Sequence, residues 1–252
     1  MARQTGIVKL QGTIDGITFL RTIDGDIARK AKAPVPKEVL KTSPNYQPTR
    51  DCNTEFGTAS RSGKLVREAI NELLILAKDG RVSSRLNSRM LKVIQSDPVN
   101  PRGERMVLKG DIGLLKNFEC NANASLSEIC KFSFDTEIKD GIAKIHIDDF
   151  IPDNAIKATP GTTHFMLHSL GTEINFSDMT FNSSSNHTEL FTLGDKKVPA
   201  SNLEHTYNHG TTNPVLILFG ITFFQFVNGV HYPFSNNSYN SLRIIDVGLN
   251  HA

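Results

Sequence analysis

The stretch VLILFGITFFQFV, residues 215–227, decides how this chain is read. Val215, Ile217, Phe219, Ile221 and Phe223 alternate with Leu216, Leu218, Gly220, Thr222 and Phe224, so both faces of an extended strand are apolar. A strand of that kind belongs in the middle of a sheet that is covered on both sides. Thirteen residues are too few for a membrane-spanning helix, which needs about 20, so no membrane span is expected. Gly220 interrupts the run and marks a bulge or bend. Asn228-Gly229 follows directly and predicts a tight hairpin into residues 230–234, because both turn positions need positive φ.

Working outward, short β-prone runs fill the C-terminal half at residues 131–136, 141–147, 163–170, 173–181, 187–193 and 241–247. Turn signals every 8–12 residues give the rhythm of an antiparallel sandwich. The preceding region reads differently. Leu65, Ala69, Ile70, Leu73, Leu74 and Ala77 recur at helical spacing, capped by Ser60 or Ser62 and stopped by Asp79-Gly80. A second helix is expected from about Ser83 to Gln95, with the apolar stripe Val82, Leu86, Met90, Val93 and Ile94. The short link makes the two an antiparallel pair. Arg81, Arg85, Arg89 and Lys92 form a row beside the stripe, and Arg102 and Arg105 follow in a Pro- and Gly-rich loop. Such a row tracks phosphates in some proteins and is a solvated face in most. Aromatic interleaving for base stacking is missing.

The N-terminus repeats one signal: GTIDGITFLRTIDGD, residues 12–26, contains Thr-Ile-Asp-Gly twice. A two-residue turn at Asp15-Gly16 sets Ile14 opposite Ile17, Gly12 opposite Phe19, Leu10 opposite Arg21 and Val8 opposite Ile23. One face of the ribbon would then carry Val8, Leu10, Ile14, Ile17, Phe19 and Ile23. The second turn, Asp24-Gly25, folds residues 26–30 back as a third strand. Residues 31–50 hold Pro34, Pro36, Pro44 and Pro48 and are expected to run extended, reaching roughly 60 Å at ~3.1 Å per residue. A ribbon this small must cover its apolar face, either on its own chain or on a neighbouring copy. The expected class is therefore α+β and mainly β: a β-hairpin arm with a proline-rich linker (1–50), a basic helical hairpin (51–117) and an antiparallel β-sandwich (118–252).

Charge follows the same division. The net charge of +2 hides 21 Lys+Arg against 12 Asp+Glu in residues 1–117, and 7 against 14 in residues 118–252. That asymmetry suits an anionic partner for the first part or head-to-tail attraction between copies.

Catalytic patterns are scarce. The chain has neither GxSxG nor GxxxxGK[ST], and Ser62-Gly63-Lys64 matches only the tail of the latter. Cys52, Cys120 and Cys130 are odd in number and widely spaced, which argues against a disulfide framework or a cysteine zinc site. His164 and His168 fall ~13 Å apart on one strand. His205 and His209 have helical zinc spacing but lie in a loop-like context. Asp148, Asp149 and Asp153 lack the order of a calcium loop. No metal or cofactor is implied. The start, MARQTGIVKLQG, has no apolar h-region, so the chain is expected to be made in the cytoplasm without a signal peptide.

Three stretches taken together resemble an uncharacterised group of proteins of about 250 residues from Bacteroidota: residues 1–30, RDCNTEFGTASRSGKLVREA (50–69) and LILFGITFFQFVNGVHYP (216–233). The resemblance implies a non-enzymatic protein made inside the cell, from a mobile or viral-like element, and carries no functional residues with it. The expected function is a structural subunit that assembles with itself into a filament, ring or phage-like shell or tail, its arm docking on a neighbour. Its final location would be an extracellular or virion-like assembly. The alternative is a nucleic-acid-binding protein that uses Arg81, Arg85, Arg89, Lys92, Arg102 and Arg105. A sugar-binding sandwich is less attractive, with no Trp and four Tyr to serve as platforms.

Overall fold

The computed structural model of the chain describes residues 2–23, 25–31, 33–208, 210–234 and 239–249. Two compact units are present, Met1–Arg50 and Asp51–Ala252.

The first unit holds strands β1 (Ala2–Arg3), β2 (Gly12–Ile14), β3 (Ile17–Thr22) and β4 (Gly25–Lys30) in the order β1-β4-β3-β2. The first turn is as expected: Asp15 and Gly16 have φ of 46° and 75°, and Ile14 pairs with Ile17, Thr13 with Thr18 and Gly12 with Phe19. The strand does not continue backwards to Leu10 and Val8. Gly12, at φ 112°, turns the chain away. The Gln4 side chain accepts the Leu10 N–H at 2.9 Å, while its own backbone N–H donates to the Asp26 carbonyl. The chain start thereby pairs with β4, on the side away from β2. The second turn falls partly on Asp24, outside the described residues.

The stretch expected to be extended is not. Helix α1 (Lys37–Thr42) and a 3-10 turn at Pro44–Tyr46 occupy it, and α2 (Gln47–Ala69) starts before it ends. Pro36, Pro44 and Pro48 stand at helix starts, where a missing N–H costs nothing. Arg50 Nη1 donates to the Leu40 and Ser43 carbonyls at 2.8 and 3.0 Å, satisfying the end of α1.

In the second unit, α2 is followed by α3 (Asn71–Leu74), α4 (Val82–Gln95), β5 (Phe118–Glu119), α5 (Leu126–Ile129), β6 (Phe134–Lys139), β7 (Ile142–Ile147) and α6 (Pro152–Ala155). Then come β8 (His164–Asn175), β9 (Thr180–His187), β10 (Phe191–Thr192), β11 (Ser201–Thr206), β12 (Pro214–Val227), β13 (Val230–Pro233) and β14 (Ser241–Leu249). Ser60 and Ser62 lie inside α2 and cap nothing. The helices are antiparallel where they meet: Arg67 Nη1 donates to Ser83 Oγ at 3.0 Å, and Gly63 lies against Asn87.

The fold is α+β with mainly antiparallel strands, as the sequence indicates, but its layering is not a free-standing sandwich. A seven-stranded sheet runs β10-β8-β12-β14-β5, with β9 on β8 and β13 on β12. Strand β12 is its centre. Leu216 and Leu218 pack with Leu86, Met90, Val93 and Ile94 of α4, together with Leu170, Leu242 and Ile244. Val215, Ile217, Phe219, Ile221 and Phe223 pack with Ala143, Ile145, Ile147 and Leu203 of a three-stranded sheet, β11-β7-β6. The large sheet therefore has helices on one face and the small sheet on the other, which is why β12 is apolar on both. The helical region and the strands share one core, so residue 117 is no domain boundary. The irregularity in the β12–β14 ladder lies opposite Ile217 and Leu218, where β14 carries the extra residue Ile245, and not at Gly220. Gly220 serves close approach instead: a Cβ there would stand 2.4 Å from the Ser241 carbonyl oxygen. The Asn228-Gly229 hairpin forms, with Val227 opposite Val230.

Candidate assembly surfaces

On the ribbon, Ile14 and Ile17 face each other across the pair at 56% and 45% exposure. Phe19 is half-buried, and Val8, Leu10 and Ile23 are exposed outside the strands. The expected six-residue face is thus reduced to Ile14, Ile17 and Phe19, because Gly12 ends the pairing. Thr13 and Thr18 hydroxyls bond across the same ladder at 3.0 Å.

The structure divides the six basic residues. Arg85 turns inward. Its Nη1 donates to the Glu119 carbonyl at 2.7 Å, its Nη2 to Asp79 Oδ2 at 2.5 Å and to the Cys120 carbonyl at 3.1 Å, and its guanidinium lies 5.1 Å from the Phe118 ring centroid. Burial pushes the Asp79 carboxyl up, but the Ala122 and Arg81 amides and the Arg85 side chain outweigh it and hold the group below its ordinary range. Arg102 donates to Cys52 Sγ at 2.6 Å, and Arg105 stands 3.6 Å from Glu55, which is buried and accepts the Gly103 N–H. Those contacts tie the 97–110 loop to α2. Arg81, Arg89 and Lys92 form no ion pair among the described residues, and Arg81 and Lys92 are exposed. Arg89 and Lys92 border an open groove of about 520 Å³ with Ser84, Ser88, Phe118 and Glu119, whose carboxylate stands 3.8 Å from Arg243.

The opposite layer carries the other sign. The outward residues of the small sheet form cross-strand rows: Asp135–His146–Asn202 and Glu137–Lys144–Glu204. Asp135, Glu137 and Glu204 are exposed. Lys144 stands 3.3 Å from Glu204, and His146 Nε2 stands 3.4 Å from Asp148. Asp149 pairs with Lys197, and the Asp153 N–H donates to the Gly194 carbonyl, so these three acids diverge.

The remaining chemical candidates are structural. His205 is buried, its Nδ1 2.9 Å from Ser184 Oγ and its Nε2 2.8 Å from Ser169 Oγ, so it joins β8, β9 and β11. His209 lies outside the described residues. Burial, reinforced by Glu119, pushes the Cys120 thiol up to about 12, and Cys130 moves the same way. Neither offers a thiolate near neutral pH. Among the described residues no three His, Cys, Asp or Glu are placed to hold a metal ion, and no helix is long and apolar enough to cross a membrane. The β12–β13 hairpin, which the sequence signals but assigns no role, leaves Phe226, Val227, Val230 and Tyr232 exposed.

No protein-family model matches the chain, and no curated protein is similar to it. Among solved structures, the solution structure of R. palustris CsgH is similar at 10% identity, over 42% of this chain and 88% of that one, with a TM-score of 0.21. A likeness that slight carries no argument.

Proposed function

We propose that the chain is a structural subunit that assembles with copies of itself, its N-terminal ribbon docking on a neighbour. The observation behind this reading is the ribbon itself: a four-stranded sheet in which Ile14 and Ile17 stand exposed as a cross-strand pair. A β-branched pair on an open ladder is costly in water, and its edge strand β2 offers unpaired backbone groups to another chain. Both side chains are already about half covered, so burying the remainder supplies about 1.5–3 kcal/mol per contact, less the ordering entropy. The product would be a filament, a ring or a phage-like shell or tail, non-enzymatic, with an extracellular or virion-like destination.

The test is negative-stain electron microscopy with light scattering on the full chain and on I14S/I17S. Regular assemblies of the parent and small particles of the variant are expected. Identical assemblies from both would remove the ribbon from the contact, and a monodisperse parent monomer would end the reading.

A further inference from the structure

The second unit is electrically layered. Residues 51–117, which form the helical layer, carry 12 Lys+Arg against 8 Asp+Glu. The large sheet lies between that layer and the small sheet, whose outer face presents Asp135, Glu137 and Glu204. On each layer some charges are already satisfied within the chain: Arg85 by Asp79, Arg105 by Glu55, Glu204 by Lys144. Arg81, Arg89 and Lys92 on one side, and Asp135 and Glu137 on the other, form no ion pair among the described residues.

We infer that the basic groove along α4 takes the acidic outer face of the β11-β7-β6 sheet of a second copy. This rests on the self-assembly reading but uses surfaces separate from the ribbon. Arg89 and Lys92 are three residues apart on a helix, ~4.5 Å along its axis. Asp135 and Glu137 are two apart on β6, an edge strand, ~6.8 Å along it. Long, flexible basic side chains span that difference, so two ion pairs form side by side. Arg81, ~12 Å from Arg89 along the helix, extends the basic face. The two surfaces are different parts of the molecule, so the contact is heterologous: each copy uses its groove on one neighbour and its sheet on the next, which gives a ring or an open filament. Exposed ion pairs are individually weak, so the contact is salt-sensitive and sets register and direction beside an apolar contact.

The test is a charge swap in the full chain, read by sedimentation velocity at low and high salt, with circular dichroism confirming the fold. R89E/K92E makes both surfaces acidic, and D135K/E137K makes both basic. Each variant alone is expected to associate roughly tenfold more weakly or worse at low salt, and a 1:1 mixture is expected to regain co-assembly. Variants that sediment like the parent, or a mixture that stays apart, would overturn the inference. So would copurifying nucleic acid, seen as a raised 260/280 nm absorbance ratio that R89E/K92E abolishes, since the groove would then have another occupant. Salt-insensitive assembly lost in I14S/I17S would sink this contact and leave the ribbon standing. Salt-sensitive assembly retained in I14S/I17S would do the reverse.

Discussion

Arg85 is the second of four basic side chains in a row, and nothing in that row distinguishes it. Its partners Asp79, Glu119 and Cys120 come from a turn and an edge strand, so its inward role is set by tertiary structure that a one-dimensional pattern does not contain. His168 is a second case. Its Nε2 is buried without a hydrogen-bond partner, and burial, with His187 adding repulsion, moves its pKa down to about 4. Glu72 pulls the other way but does not prevail. The unfolded chain, with an ordinary histidine, binds a proton first. This group's contribution is therefore fully present above about pH 6.5 and falls as pH drops toward 4, by up to about 1.4 kcal/mol per pH unit. His205, lowered by burial, acts in the same sense. Urea unfolding at pH 7, 6 and 5 is expected to show declining stability, with a shallower decline in His168→Leu. Parallel pH profiles for parent and variant would show that His168 does not carry the effect.

At the scale of elements, legibility followed local chemistry. Asp15-Gly16 and Asn228-Gly229 were readable as hairpins because the backbone demand and the residue preference are both local. The stripe of α4 was readable because Val82, Leu86, Met90, Val93 and Ile94 are buried together at helical spacing. The start of α2 was not, since Pro48 reads as a breaker until it is known to sit in a first turn. Strand β8 reads as two strands because Gly171 resembles a turn residue. In the fold that glycine makes room for His205, whose Cβ would lie 2.6 Å from any Cβ at that position. Strand β11 went unread because only Leu203 and His205 of SNLEHT point inward. Gly220 repeats the logic of Gly171 on β12, and it yields a prediction. Gly220→Ala must displace the β14 backbone at Ser241, an overpacking expected to cost about 1–3 kcal/mol. Denaturant unfolding measures it, and an unchanged midpoint would mean that β14 yields freely.

For the whole molecule, the sequence told apart the regions but not their assembly into layers. The dual apolar face of β12 demanded two covers. That one cover would be helical follows only from seeing Leu216 and Leu218 packed with α4, on the face away from Ile145 and Leu203. The same layering turns a charge imbalance along the chain into two separate surfaces. Among the described residues every buried member of the two cores lies between Ala59 and Ile245, so the second unit is expected to keep its fold without the N-terminal ribbon. Trypsin acting at the exposed Lys30 or Lys37 is expected to leave a resistant fragment that begins near residue 31 or 38. Its melting temperature should lie within about 4 °C of the parent's, equivalent to ~1 kcal/mol for a chain of this size. Differential scanning fluorimetry on the purified fragment checks this. A much lower transition would mean that the first unit contributes to the fold of the second. A matched transition with lost assembly would assign the ribbon to contacts between copies, where two exposed isoleucines and an unpaired strand edge have their most direct physical use.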